Sequence, residues 1–155
     1  MREAVAASVR VQVRRLPEGA DLPLPEPATA GSAGLDLRAC LPEPLSVAPG
    51  ARAIVPTGIA VALPEGYEAQ VRPRSGLALR TGLTLLNSPG TVDADYRGEI
   101  KVIVVNLGQA PVAIARGDRI AQLVVQPVPR VQWEEVEDLP ASDRGAGGFG
   151  HTGTR

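Results

Sequence analysis

The stretch NSPGTVDADYRGEIK, from Asn87 to Lys101, contains two acidic residues separated by one position. In an extended strand, the carboxylates of Asp93 and Asp95 point to the same side. Such a pair suits a divalent cation, and one carboxylate alone can act as a general base beside a structural partner. Aspartate is also common in turns, where its side chain bonds the backbone. We interpret the stretch as a long hairpin with a wide loop, and these explanations of the pair stay open.

A second candidate site lies in RPRSGLA, from Arg72 to Ala78, where a proline, an arginine, a hydroxyl and a glycine follow one another. If a helical turn begins here, its free N–H groups, the Ser75 hydroxyl and the Arg74 guanidinium converge on an anion. Alternatively, Ser75 caps the turn and Arg74 is solvated. Further along, the amide of Gln122 interrupts the apolar run RIAQLVV, where it either faces solvent or is held for binding.

The segment RGAGGFGHTG, from Arg144 to Gly153, contains the only phenylalanine and the only histidine of the chain. It matches the pattern G-x-G-x-x-G, but a dinucleotide-binding fingerprint needs a following helix, which we do not expect after Gly150. Glycines still allow a backbone to lie close to phosphate oxygens. The ring of Phe149 is therefore either incidental or covers something onto which the segment folds.

Glycine and proline together number 32 and separate short runs of alternating or β-branched residues. We predict strands at VRVQV, GLDLRA, AIVPTGIAVAL, YEAQVR, LTLLN, EIKVIVVN, PVAI, RIAQLVVQPV and VQWEEV. In GLDLRA, alternation buries Leu35 and Leu37 and turns Asp36 to the other face. No window keeps helical spacing over three turns, so SGLALR is predicted as a single helical turn. The pattern indicates an all-β sandwich or barrel, followed after Pro140 by a mobile glycine-rich segment.

The composition argues against several classes of protein. A chain of 155 residues suits one domain with its own core, and a net charge of −1 does not favour a nucleic-acid partner. One cysteine and one histidine leave no internal disulfide and no zinc site of the Cys/His type. No stretch approaches membrane-spanning length, and no apolar run suits a signal peptide. We therefore expect a cytoplasmic protein without a membrane or nucleic-acid partner.

Taken in order, AGLDLRA, PRSGLA, GTVDADYRGE, GDRIAQLVV and RGAGGFGHTG resemble the five motifs of the trimeric dUTP pyrophosphatase (dUTPase) family. The resemblance implies a jelly-roll-like β-barrel over residues 1–139 and a flexible C-terminal arm over residues 140–155. It also implies a homotrimer with active sites at the subunit junctions. The implied reaction converts dUTP and water to dUMP and pyrophosphate, with Mg²⁺ bound through the substrate phosphates and water.

The resemblance also assigns roles to residues. Asp93 corresponds to the general base that activates water for in-line attack on the α-phosphorus. The implied phosphate contacts are Arg74, Ser75, Gly76, Gln122, Arg144 and Thr152. The implied uracil and deoxyribose contacts are Asn87, Thr91, Val92, Tyr96, Lys101 and Phe149, with Lys101 acting through its main chain and Phe149 stacking on the base. No residue is implied as a direct metal ligand, and Asp36 either bonds a magnesium-bound water or forms a structural ion pair.

Two other functions fit a barrel of this kind. A dCTP deaminase shares the Arg–Ser loop but carries a catalytic glutamate where this chain has Ile103, in GEIKVI. Without that carboxylate, deamination lacks an obvious proton shuttle. A non-catalytic nucleotide-binding barrel has no need for the base at Asp93. The retained Asp93, Tyr96 and glycine-rich tail therefore favour hydrolysis.

Overall fold

The structure, a computed structural model, describes residues 8–153. Within that range the chain forms ten strands, one α-helix and a short 3-10 turn at Pro17–Gly19. The strands are β1 Gln12–Arg15, β2 Leu35–Arg38, β3 Leu45–Val47, β4 Arg52–Ala62, β5 Tyr67–Arg72, β6 Leu83–Leu85, β7 Gly90–Val92, β8 Glu99–Asn106, β9 Val112–Ile114 and β10 Arg119–Pro127, and the helix is α1 Ser75–Thr81.

Two four-stranded antiparallel sheets dominate the fold, with strand orders β1-β4-β8-β6 and β2-β10-β5-β7. Strands β3 and β9 form a third, two-stranded sheet. One apolar core takes side chains from both large sheets, for example Leu37 and Leu123 from one and Val55 and Val102 from the other. The all-β prediction is confirmed, and the architecture follows from alternating apolar residues on strands that each bury one face.

Asn106, at the end of β8, is the largest polar side chain buried in this core and is fully inaccessible to solvent. Its Nδ2 donates to the carbonyls of Val47, at 2.9 Å, and Ala110, at 2.8 Å, while its Oδ1 accepts from the N–H of Gly108, at 2.8 Å. Burial is tolerated because the amide is satisfied on both sides. Asn106 thereby connects three segments at one end of the sheet.

The helix α1 is longer than the single turn expected from the sequence, since it spans seven residues. It begins at Ser75 and ends at Thr81. The C-cap residue Gly82 has a left-handed φ of 76°, and its N–H bonds the carbonyl of Ala78. Glycine adopts this conformation without the penalty that a side chain brings. Ser75 is the first helical residue, and the N-cap is Arg74 rather than a capping serine.

Three strand predictions need correction. The segment VQWEEV is wrong as a strand, because residues 128–153 contain neither strand nor helix, and Trp133 is 94% exposed. Prolines at 127 and 129 interrupt ladder pairing at the end of β10. Strands β3 and β7, of three residues each, were missed.

The long hairpin predicted from Asn87 to Lys101 is also wrong. Strand β7 pairs with β5 in one sheet, whereas β8 pairs with β4 and β6 in the other. The stretch therefore crosses between the two sheets and does not fold back on itself. Local sequence predicted β8 and the loop before it, but neither β7 nor the sheet that each strand joins, which the rest of the barrel determines.

Candidate active site

A cavity of about 190 Å³ opens where the β7–β8 connection crosses between the sheets. Its wall includes six of the residues singled out from the sequence, which are Asn87, Thr91, Val92, Asp93, Tyr96 and Lys101. Ile103, which stands where a deaminase carries glutamate, also lines the cavity. The structure thus brings together every pocket residue predicted for a base and sugar except Phe149.

The floor of this pocket is the open edge of β8. Strand β6 ends at Leu85, and the last bond on that side runs from the N–H of Leu86 to the carbonyl of Ile103, at 3.0 Å. In an antiparallel strand, alternate residues direct both backbone groups to the same side. Lys101 therefore directs its N–H and C=O to the pocket side, beyond the end of β6. On the other side Lys101 faces Pro56, which has no N–H to offer.

The two acidic residues of the loop do not share a side of an extended strand. The N–H of Tyr96 bonds the carbonyl of Asp93 at 3.1 Å, so Ala94 and Asp95 form a turn. The Arg97 guanidinium holds this turn from outside, donating to the carbonyls of Ala94, at 2.7 Å, and Tyr96, at 3.0 Å. Asp93 alone lines the pocket, and the carboxylate pair is a feature of the turn.

The ring of Tyr96 stands at the mouth of the pocket and is 45% exposed. Its hydroxyl donates to the carbonyl of Glu99 at 2.8 Å. The carboxylate of Glu99 in turn accepts from the N–H of Gly58 at 3.0 Å, which fixes this end of β8 to β4. An aromatic ring held in this way forms a rigid wall, and a rigid wall can discriminate between sugars by shape.

A second group of site residues surrounds the carboxylate of Asp36. Its Oδ1 lies 3.2 Å from Nε of Arg74 and its Oδ2 lies 3.1 Å from Nη1 of Arg119. Ser75 and Gly76 follow Arg74 at the start of α1. A neighbouring cavity is lined by the guanidinium-bearing residues Arg74, Arg80 and Arg119. This concentration of positive charge suits a polyanion.

Gln122 belongs to the same group. Its Nε2 donates to the carbonyl of Pro73 at 3.0 Å, which orients the amide beside the Arg74 loop. A Cβ placed on Gly34 would collide with Oε1 of Gln122, so the absence of a side chain at Gly34 makes room for the amide. Gln122 is thus held in place and does not simply face solvent.

Arg119 was not singled out from the sequence. The ladder between β10 and β2 is irregular between Arg119 and Ala121, and the adjacent residues Ile120 and Ala121 are both buried. Strict alternation places Arg119 and Gln122 on opposite faces, and a bulge removes that opposition. The only sequence signal was a basic residue between a turn and a strand.

Asp93 and Arg74 lie toward opposite ends of β5. Through its pairing with β7, Ala69 is opposite Val92, so Asp93 is level with Glu68. Arg74 follows the other end of the strand, six residues from Glu68. At about 3.3 Å per residue that separation is about 20 Å. Within a single chain, the backbone positions of Asp93 and Arg74 are therefore held apart.

The tail residues singled out from the sequence are exposed. Phe149 is fully exposed and has a positive φ of 50°, and Thr152 is also exposed. Nε of Arg144 donates to the carbonyl of Gly147 at 2.8 Å, a bond within the tail itself. The structure does not bring these three residues to the pocket.

Two further findings concern metals and membranes. Among residues 8–153, no cluster of three or more His, Cys, Asp or Glu side chains is arranged to hold a metal ion. Over the same range, no helix has both the length and the apolar character needed to span a bilayer.

The family model for dUTPase matches residues 20–153. The dUTPase of Staphylococcus bacteriophage 80alpha, solved with dUpNHpp, aligns at a TM-score of 0.84 with 27% identity, covering 94% of this chain and 99% of that one. A variant dUTPase of phage phi11 of S. aureus, whose structure describes a structural Mg(II) ion, aligns at 0.74 with 26% identity, covering 83% and 97%.

The family match covers most of the chain, and so the chain belongs to the dUTPase family. Its activity is the hydrolysis of dUTP, and the family assignment does not favour the deaminase or non-catalytic alternatives.

Proposed function

We propose that the chain converts dUTP to dUMP and pyrophosphate, with Asp93 as the general base for a water that attacks the α-phosphorus in line. The observation that carries the proposal is the pocket in which Asp93, Tyr96 and the open backbone of Lys101 converge. Asp93 lies at the outer end of that pocket, next to Tyr96, where the sugar and then the α-phosphate of a bound nucleotide emerge. A general base must lie within hydrogen-bond reach of the water it activates, and the position of Asp93 in the pocket wall supports this role.

The nucleobase is recognised by backbone groups of the protein. Lys101 offers one N–H and one C=O on the same side of β8, which matches a ring edge that carries an adjacent acceptor and donor, as uracil does. Cytosine reverses that order and leaves both backbone groups unpaired, at a substantial cost. Asn87, Thr91 and Val92 form the remaining wall, and the Asn87 amide is oriented beside Gly90.

The sugar is selected by Tyr96. We infer that its ring packs on the deoxyribose and leaves no room for a 2′-hydroxyl. The support is the ring's position in the pocket wall and the bond that fixes its hydroxyl to Glu99.

The phosphates are assigned to the second group. Arg74, Ser75 and Gln122 present a guanidinium, a hydroxyl and an amide around Gly76. Asp36 fixes Arg74 and Arg119 by ion pairs. Phosphoryl transfer depends mainly on positioning and charge stabilisation, which preorganised donors supply. Asp36 acts here as a structural ion pair that orients Arg74.

In this proposal, the magnesium ion binds together with the nucleotide, through the substrate phosphates and water. Mg²⁺ keeps several waters and is usually held by one or two carboxylates together with substrate phosphates. When bound, the ion neutralises part of the phosphate charge. Asp36 retains lone pairs that could accept from a magnesium-bound water.

The separation within one chain supports a homotrimer with shared active sites. Catalysis needs the water and the phosphorus within about 3.5 Å, whereas Asp93 and Arg74 are held about 20 Å apart along β5. A second subunit can supply the missing group. The apolar side chains of Val131, Trp133 and Leu139, all largely exposed, offer a surface for such an assembly.

The tail completes the site in this proposal. We treat residues 140–155 as an arm that closes over the bound triphosphate, of which residues 154 and 155 lie outside the described range. Phe149 stacks on uracil, while Arg144 and Thr152 contact the γ-phosphate. Stacking of a base on an aromatic ring contributes roughly 1–3 kcal/mol. The Phe149 ring is fully exposed, which supports a role in which its stacking partner is the uracil ring of the substrate.

The test is an assay with dUTP or dCTP and Mg²⁺ that measures pyrophosphate and ammonia separately. Pyrophosphate from dUTP alone is the expected result, whereas ammonia from dCTP would indicate a deaminase. The matched variant is Asp93→Asn, which should bind dUMP normally but lose most of its kcat, because an amide cannot accept the proton from water. Retention of more than about a tenth of the kcat would remove Asp93 as the base.

A further inference from the structure

The phenol end of Tyr96 lies directly against the backbone of Gly98. A Cβ placed on Gly98 would stand 2.5 Å from Oη, 2.7 Å from Cζ and 3.0 Å from Cε2 of that ring. Contacts this short do not persist, so any side chain at position 98 must displace the ring. Because the φ of Gly98 lies outside the left-handed region, alanine can adopt the same backbone conformation. The reason for glycine is therefore the ring and not the backbone.

The Tyr96 ring cannot be displaced without losing other contacts. Its hydroxyl is bonded to the carbonyl of Glu99, the residue immediately after Gly98. Its backbone N–H closes the turn onto Asp93, and Arg97 bonds the carbonyls of the same turn. The ring is thus held by its own backbone at one end and by its hydroxyl at the other.

Gly98 stands against the Tyr96 ring but is not part of the cavity wall. Tyr96 and Glu99 line the cavity, whereas Gly98 does not. A methyl group at position 98 therefore lifts the phenol end away from the backbone and toward the space where a sugar would lie.

We propose that Gly98 is a positioning residue that sets how far the Tyr96 ring stands into the sugar side of the pocket. The fit of a 2′-deoxyribose then depends on the absence of a side chain at position 98. The inference rests on the proposed function, in which the Tyr96 ring packs on the deoxyribose. It adds that Gly98, which does not contact the substrate, determines how the Tyr96 ring selects 2′-deoxyribose.

The experiment measures the dissociation constant of dUMP by calorimetry for Gly98→Ala. Narrowing a shaped pocket by one methyl group should weaken dUMP about tenfold or more. The kcat at saturating dUTP should change much less than KM, because the turn that carries Asp93 is retained. The matched control is Gly31→Ala, where an added Cβ meets nothing within 4 Å, and dUMP affinity should stay at the wild-type value.

Double variants separate ring displacement from a general structural effect. In a Tyr96→Ala background there is no ring to displace, so adding Gly98→Ala should leave dUMP affinity unchanged. In a Tyr96→Phe background the nearest atom, Oη, is absent, and the penalty should be smaller than with tyrosine. If Gly98→Ala alone does not fold, rescue of its melting temperature by Tyr96→Ala supports the steric contact, and lack of rescue overturns it.

Two results overturn the inference. One is wild-type dUMP affinity in Gly98→Ala, and the other is an equal loss of affinity in the Tyr96→Ala background. Failure of the underlying proposal looks different. If Tyr96→Ala leaves the dUTP-to-UTP ratio of kcat/KM unchanged, the ring does not select the sugar. If that ratio falls and Gly98→Ala still binds dUMP normally, only the role of Gly98 is refuted.

Discussion

Two inactive variants of this chain should restore activity when they are mixed. One is Asp93→Asn, which impairs the pocket, and the other is Arg74→Ala, which impairs the cationic group. Asp93 is level with Glu68 on β5, and Arg74 follows the far end of that strand, about 20 Å away. If an active site combines the pocket of one subunit with the cationic group of another, a mixed trimer contains sites in which both are intact.

The expected recovery of activity follows from the fraction of active sites in which both groups are intact. In an equal mixture that reassembles at random, half of the pockets come from chains with Asp93 and half of the cationic groups from chains with Arg74. The two choices are independent when they fall on different subunits of a cyclic oligomer, so about one quarter of the sites are intact. Activity should then reach about one quarter of that of the wild-type protein taken through the same procedure. Sites built within one chain would all carry one defect and give no recovery.

The assay co-refolds the two variants from denaturant, isolates the trimer and measures pyrophosphate release from dUTP. The matched control mixes Asp93→Asn with Asn87→Ala, which both impair the pocket. Every pocket in that mixture carries one defect, so the control should stay at the level of its parents. Activity of the first mixture at the parental level, in trimers shown to contain both variants, would refute the shared site.

Three further predictions concern the tail, the core and the pH dependence. Truncation after Asp143 should lower kcat about a hundredfold, with melting temperature and dUMP affinity nearly unchanged, because Phe149 is fully exposed in the free chain. A truncated enzyme with normal kcat would show that the tail is no lid. Asn106→Ala should reduce the free energy of unfolding in urea by about 3 kcal/mol, since three hydrogen bonds of about 1 kcal/mol each are lost, and a loss below about 1 kcal/mol contradicts this account. The hydrogen bond from Arg116 lowers the pKa of Asp21, so their pairing stabilises the fold above the ordinary pKa of aspartate and is lost as the pH falls through the lowered value. Asp21→Asn should flatten that acid limb of the melting-temperature profile.

The sequence was most informative where strands alternate between clear turn signals. The run EIKVIVVN coincides with β8, from Glu99 to Asn106, because alternation and a flanking turn both mark it. The pocket residues were also predictable, since Asn87, Asp93 and Tyr96 fall within one short stretch. Residues close in sequence on a connection between two strands remain close in the fold, whichever sheets those strands join.

Pairing partners were less predictable from the sequence. The stretch after Asn87 has the composition of a hairpin, yet β7 and β8 belong to different sheets. The same holds for VQWEEV, which has strand-forming residues but no partner strand in the described chain. Strand propensity expresses how well a residue suits a pleated, half-buried surface, and it does not say which neighbour provides that surface.

Strand β5 explains why Asp93 and the residues around Arg74 lie far apart although they belong to the same chain. It pairs with β7 along Ala69 to Val71 and with β10 along Tyr67 to Arg72, so it fixes the register of both neighbours at once. The first pairing sets Asp93 at one end of β5, and the second sets Gln122 opposite Arg72 at the other. A shift of one residue in β5 would turn every side chain on it to the wrong face and would also move both halves of the site. The separation of Asp93 from Arg74 is thus fixed by the same pairing that closes the core. In the proposed trimer, a second subunit brings an Asp93 and an Arg74 to one substrate.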